Sequence, residues 1–248
     1  MINPSINSKQ SNPPIALVTG CGRRLGLFIA KQLLQQGYRV LGHYRSRSAE
    51  LEQLERDGAE LFQADFTQPA QINALSEWVN ARCSMLSLLL HNASAFAETA
   101  STAKEMATQF TEFYHVHMLA PALLTEQLKA LLVKADNPSI VAITDIYIHH
   151  PNPALATYCA TKAGLDNLCQ SYARSLAPQI RVNTIEPGPI MFLDSHDDEY
   201  KQRILAKTPL AQEGGFEPIW QTLAMLIANR YMTGSRIQVD GGRSVAEL

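Results

Sequence analysis

Cysteine is sparse in this sequence and carries no pattern. The four residues, Cys21, Cys83, Cys159 and Cys169, form no CxxC pair and no metal-ligand spacing. That argues against a disulfide framework and against a metal site, and for reduced thiols in a cytoplasmic protein. Long hydrophobic runs are also missing: none approaches the ~18 residues needed to span a bilayer. Neither sign of charge dominates. A formal net charge of −2 gives no reason to expect a nucleic-acid or membrane-surface partner. Residues Met1 to Pro14 are polar, rich in Asn, Ser and Pro, and lack an apolar signal core. They are expected to form a flexible arm ahead of one domain over residues 15–248. With 46% hydrophobic and 18% charged residues, the rest has the make-up of a soluble globule with a substantial core.

Short apolar runs alternate with helix-like stretches along the chain. Strands are expected at Ile15 to Thr19, Tyr38 to His43, Glu60 to Gln63, Leu86 to Leu90, Ser139 to Thr144, Ile180 to Ile185 and Arg236 to Val239. Helical patterns fill Leu25 to Gln36, Ser48 to Asp57, Pro69 to Arg82, Thr111 to Lys134, Leu155 to Leu176 and Glu217 to Asn229. Pro121 interrupts the fourth of these without dividing the pattern. Strands separated by helices imply parallel pairing through right-handed crossovers. The fold class is therefore α/β, a Rossmann-like doubly wound parallel sheet of about seven strands flanked by helices. Pro189 to Gly215 is the least regular long segment and is placed to cover a ligand.

Three local patterns bear on chemistry. Thr19-Gly20-Cys21-Gly22-Arg23-Arg24-Leu25-Gly26 follows a strand and opens a helix. Gly20 and Gly26 permit a tight turn and close backbone approach, and the helix N-terminus favours a pyrophosphate, with Arg23 and Arg24 adding positive charge. The second strand ends in His43-Tyr44-Arg45-Ser46-Arg47, with no acid to accept from ribose hydroxyls. Two arginines and a serine suit a 2′-phosphate, so NADPH is the expected cofactor. Tyr158 and Lys162 stand four apart, on one helix face. An ammonium at that spacing is expected to lower the tyrosine pKa and make a proton donor. Alone, such a pair is an ordinary solvated face.

Together these residues resemble the short-chain dehydrogenase/reductase family, over nearly the whole chain after Pro14. Asp65 is similar to the family's adenine-contacting Asp, with Phe66 beside it. His91-Asn92-Ala93-Ser94 resembles the motif that ends the fourth strand. Glu186-Pro187-Gly188 resembles the Pro-Gly motif after the sixth strand, with Ile190 beyond it, and Asp240-Gly241-Gly242 resembles the C-terminal signature. The departures are more specific. Arg24 replaces the middle glycine of the turn, Ser94 replaces a glycine, and Asp145 stands where the family has its catalytic Ser. Together with Phe96 these resemble the pteridine reductase branch.

The resemblance implies NADPH-dependent reduction of a dihydropterin. It implies catalytic roles for Asp145, Tyr158 and Lys162. It implies cofactor contacts from Gly20, Arg23, Arg24, Leu25, Gly26, Tyr44, Arg45, Ser46, Asp65, Phe66, Asn92, Ala93, Ser94, Tyr158, Lys162, Pro187, Gly188 and Ile190. The pterin would meet Arg24, Ser94, Phe96, Asp145, Tyr147 and Tyr158. Asp145 either relays a proton with Tyr158 or binds the pterin's N–H donors; the residues do not choose. A homotetramer is the family's usual assembly. Two readings compete: a ketone or 3-oxoacyl thioester reductase, and a non-catalytic NADPH-binding regulator. His117 replaces a family Asn and as a lone residue reads as a packed helix histidine. Cys159 reads as a packing residue, Trp78 and Trp220 as core or interface, and the acids from Asp194 to Glu199 as a solvated loop face.

Overall fold

The computed structural model describes residues 12–246. Most of the expected arm, residues 1–11, lies outside the described residues. Seven strands form one parallel sheet: β1 Ile15–Thr19, β2 Arg39–Tyr44, β3 Glu60–Gln63, β4 Leu88–His91, β5 Ser139–Ile143, β6 Arg181–Pro187 and β7 Arg236–Val239. Their order is β3-β2-β1-β4-β5-β6-β7. The order reverses direction between β1 and β4, and crevices at such switch points open at the carboxyl ends of the strands.

The alternation of side chains along each strand decides which helices it meets. Leu17, Leu41, Leu89, Ile140, Ala142 and Val182 pack with α3 (Pro69–Arg82), α5 (Ala120–Leu132) and α6 (Ala156–Ser175). Their neighbours Ala16, Val18, Val40, Leu88, Leu90, Val141 and Ile185 face α1 (Arg24–Gln35), α2 (Ala49–Arg56) and α8 (Glu217–Ala228) on the other side. Strands buried on both faces read as continuous apolar runs, which is why they stand out in the sequence.

Two expectations are corrected. The helix expected over Thr111 to Lys134 begins earlier and changes pitch within: α4 (Ala103–Tyr114), a π-turn over His115–Leu119 and α5 follow one another without a break. Pro121 follows the π-turn directly: it has no N–H to give the helix, and the Ala120 N–H before it donates to the His115 carbonyl. The start of α4 is set by Thr102, whose hydroxyl accepts from the Glu105 N–H and donates to the Glu105 carboxylate. The segment from Pro189 to Gly215 is not wholly irregular: α7 (Asp198–Ala206) crosses it, capped by Asp197. No helix among the described residues is long and apolar enough to cross a membrane.

Candidate active site

All the expected site residues lie at or just beyond the carboxyl ends of the strands. The cradle after β1 is built without side chains. Gly20 has φ +71°, and a Cβ there would lie 2.7 Å from the Ala93 Cα. A Cβ on Gly26 would lie 2.1 Å from the Gly20 carbonyl oxygen and 2.4 Å from Asn92 Nδ2. Asn92 creates this crowding because its amide donates to the Thr19 and Gly20 carbonyls at 3.0 and 3.1 Å. The Thr19 hydroxyl accepts from the N–H groups of Asn92 and Ala93 and donates to the Leu90 carbonyl. Asn92 and Ala93 thus brace the turn. The first turn of α1 carries no acidic side chain, Arg23 is exposed beside it, and Leu25 is buried under it. Free backbone N–H groups, crowded glycines and no acid fit the pyrophosphate of a dinucleotide.

Arg24 behaves differently from its neighbour. Its φ is +51°, the left-handed region that glycine favours. Its guanidinium donates to the carbonyls of Met191 and Phe192, at 2.7 and 3.3 Å. It ties the turn to the segment after β6 and does not bond Ser94.

At the end of β2, Tyr44 is buried while Arg45 and Ser46 are exposed. Of the two arginines expected to meet a phosphate, Arg47 is committed to Glu55, which leaves Arg45 with Ser46. Asp65 holds the Thr67 N–H and hydroxyl on one oxygen, each at 2.9 Å. The Phe66 ring is buried and stacks on His43 at 3.9 Å, so the ring itself supports the pocket from behind. His43 was not singled out by the sequence. Its Nδ1 accepts the Gly20 N–H at 3.1 Å, so Nε2 carries the proton and donates to the Ala64 carbonyl at 2.9 Å. Burial pushes its pKa down to about 4. A neutral imidazole therefore joins the β1 turn to the end of β3.

The third group gathers at β5, β6 and α6. The Tyr158 hydroxyl donates to Asp145 at 2.9 Å, and the other Asp145 oxygen accepts the Tyr147 N–H at 2.9 Å. Lys162 is 2% exposed, and its ammonium donates to the Ile143 carbonyl at 2.8 Å. Burial brings the Lys162 pKa down to about 8. Burial also raises Asp145, and the Glu186 carboxylate adds to that rise. The Tyr158 pKa is pushed up, first by burial and then by Asp145. This corrects the expectation that Lys162 lowers it. The ammonium stands 5.8 Å from the ring centroid and bonds elsewhere, while an acidic side chain touches the phenol. The site presents a neutral phenol against a carboxyl group, an arrangement that can give a proton to a bound base.

Phe96 is 47% exposed and meets the Tyr158 ring edge-on at 5.1 Å, forming an open aromatic ledge. Beneath it His117 is fully buried. Its Nε2 accepts the Ala95 N–H at 3.1 Å and lies 3.0 Å from the Ser94 hydroxyl. Nδ1 then carries the proton and donates to Thr161 at 2.8 Å. Burial and the Lys162 charge hold this imidazole neutral. Tyr147 reaches from the Tyr158 cluster to within 3.5 Å of the Arg243 guanidinium. Pro187 is buried at the end of β6, Gly188 packs against Asp240, and Ile190 bonds back to Gly188. His149 and Glu186 also meet here; the sequence pointed to Glu186 only as part of the Pro-Gly motif and not to His149. Among the described residues no group of three or more His, Cys, Asp or Glu is placed to hold a metal ion.

Comparison with known proteins adds to this geometry. Residues 20–244 match the model of a family described as enoyl-(acyl carrier protein) reductase. A dihydromonapterin reductase of Klebsiella pneumoniae is 35% identical over 237 residues, covering 94% of this chain and 98% of the relative. One from Enterobacter sp. (strain 638) is 35% identical over 230 residues, covering 92% and 95%. One from Escherichia coli (strain SMS-3-5 / SECEC) is 32% identical over 240 residues, covering 94% and 98%.

Proposed function

From the premise that this chain belongs to the short-chain dehydrogenase/reductase family, a family of oxidoreductases, we propose that it reduces a 7,8-dihydropterin with NADPH. The product is the tetrahydropterin, formed by hydride addition at C6 and protonation at N5. Dihydromonapterin is the expected kind of substrate, and dihydrofolate a secondary one. The observation that carries the reading is the Tyr158–Asp145 pair beneath the Phe96 ledge. An exposed ring beside a proton donor suits a flat, basic heterocycle. Asp145 argues against a ketone or thioester substrate, because a carboxylate repels a carbonyl oxygen.

The cofactor's pyrophosphate would rest on Gly20, Arg23, Leu25 and Gly26, braced by Asn92 and Ala93. Arg45 and Ser46, beside Tyr44, would take the 2′-phosphate, and Asp65 the adenine. Lys162, Pro187, Gly188 and Ile190 would line the nicotinamide end. When bound, the cofactor supplies the hydride. The protein supplies position and the proton. Phe96 and Tyr147 line the pterin pocket, and Arg24 and Ser94 flank it. Tyr158 gives its hydroxyl proton towards N5, and Asp145 replaces it. His117 holds Ser94 and Ala95 against the helix that carries Tyr158. A homotetramer in a reducing cytoplasm completes the proposal. Met106, Phe110 and Tyr114 are exposed at four-residue spacing on α4, and all four cysteines are free thiols.

The test follows the hydride. With NADPH deuterated at the transferring position and a dihydropterin, NMR of the product should find deuterium on C6. Label absent from the pterin, with the cofactor still bound, would contradict the proposal.

A further inference from the structure

A carboxyl group beside the site has no place in the roles above. Glu186 is the penultimate residue of β6, and its side chain is only 1% exposed. Its hydrogen-bond partner is His149, whose Nε2 lies 3.0 and 3.2 Å from the two carboxylate oxygens. His149 is 38% exposed. It closes the short helical turn that Asp145 caps at the other end. The strand register pairs Ile143 with Ile185, so the chain ends carrying Asp145 and Glu186 emerge side by side.

We propose that His149 and Glu186 form the inlet through which solvent protons reach Asp145 and Tyr158. The inference rests on the reductase reading, because reduction of an imine consumes one proton in each turnover. Tyr158 is itself 6% exposed, and a substrate lying on Tyr158 and Asp145 shields both from bulk water. His117 offers no second route, since both its ring nitrogens are taken by protein groups. The steps balance as follows. Solvent protonates His149 Nδ1, and the imidazolium gives its Nε2 proton to Glu186. Glu186 passes a proton through water to Asp145, Asp145 restores the Tyr158 hydroxyl, and Tyr158 has given its proton to N5.

The surrounding charges suit this role. Glu186 opposes ionisation of Asp145, so a proton on one carboxyl eases ionisation of the other. The other charged or titratable groups around the pair are Tyr158 and Lys162 from α6, Arg236 from β7 with its partner Asp166, and His150 on the same loop. Arg236 is held by Asp166 through three hydrogen bonds.

The experiment compares wild type with His149→Ala and Glu186→Gln. Turnover, its solvent isotope effect in heavy water and NADPH affinity by fluorescence are measured for each. The inlet predicts about tenfold slower turnover, a larger solvent isotope effect, unchanged NADPH affinity, and recovery of His149→Ala by added imidazole. Unchanged turnover would overturn it. So would a loss that imidazole does not restore and that leaves the isotope effect alone, because a residue that only pins the loop behaves that way. A second measurement needs no substrate and therefore separates this inference from failure of the pterin reading. The nitrogen NMR signals of the His149 ring should shift between wild type and Asp145→Asn if the three groups form one hydrogen-bonded chain; unmoved signals would overturn the inlet.

Discussion

Arg24 carries a backbone conformation that its side chain does not favour. At φ +51° a Cβ costs about 1–2 kcal/mol, a cost absent for glycine. The guanidinium answers that cost by holding the Met191 and Phe192 carbonyls. Two variants separate the terms, since both lose the guanidinium and only one keeps a Cβ. Arg24→Gly should unfold at higher urea than Arg24→Ala, by about 1 kcal/mol; equal stability would mean the turn relaxes. Asp145 is the second residue on which the account depends. Asp145→Asn keeps shape and hydrogen bonding but cannot pass a proton to Tyr158. Its turnover should fall at least about a hundredfold while NADPH affinity holds. A variant with near-normal turnover would leave Asp145 as a binding group only.

At the scale of elements, the strand ends and the helix that follows each are what make a site. The turn between β1 and α1 admits no Cβ at Gly26, because the Gly20 carbonyl lies where it would go. Gly26→Ala should cost about 1–3 kcal/mol in thermal unfolding, by the usual price of overpacking, and should weaken NADPH binding with it. The strands were plain in the sequence because a sheet covered on both faces demands apolar runs such as Leu88 to Leu90. The π-turn at His115–Leu119 was not, since a change from i+4 to i+5 bonding has no residue signature beyond a nearby Pro121. The start of α4 was legible in principle: Thr102 and Glu105 have capping-box spacing, and the apolar pattern beginning at Thr111 drew the boundary too late. Contacts between distant segments were beyond the sequence. Arg24 and Met191 are 167 residues apart, Arg47 is spent on Glu55, and His43 joins Gly20 to Ala64. The types of the site residues were readable; their partners required the fold.

Over the whole molecule, three buried histidines are held neutral. His43 is brought down to about 4 and His91 to about 3 by burial, and His117 lies well below its usual value. In the unfolded chain each takes a proton near pH 6.5. Below that pH the unfolded state binds protons that the folded state refuses. Stability is therefore intact above about pH 6.5 and falls as the pH drops towards the folded values, by up to about 1.4 kcal/mol per pH unit for each histidine. The urea midpoint should drop sharply between about pH 7 and about pH 5, and His43→Gln should flatten part of that slope; equal midpoints would contradict it. The same folded frame brings Phe96, Asp145 and Tyr158 together from three separate segments, and the functional account stands on that meeting. The pterin assignment is tested by following cofactor oxidation with dihydromonapterin, dihydrofolate and a 3-oxoacyl thioester in parallel, each with NADPH and NADH. A stacked-pterin site should oxidise NADPH fast with dihydromonapterin, slower with dihydrofolate, little with NADH and not at all with the thioester. Turnover of the thioester alone would contradict it.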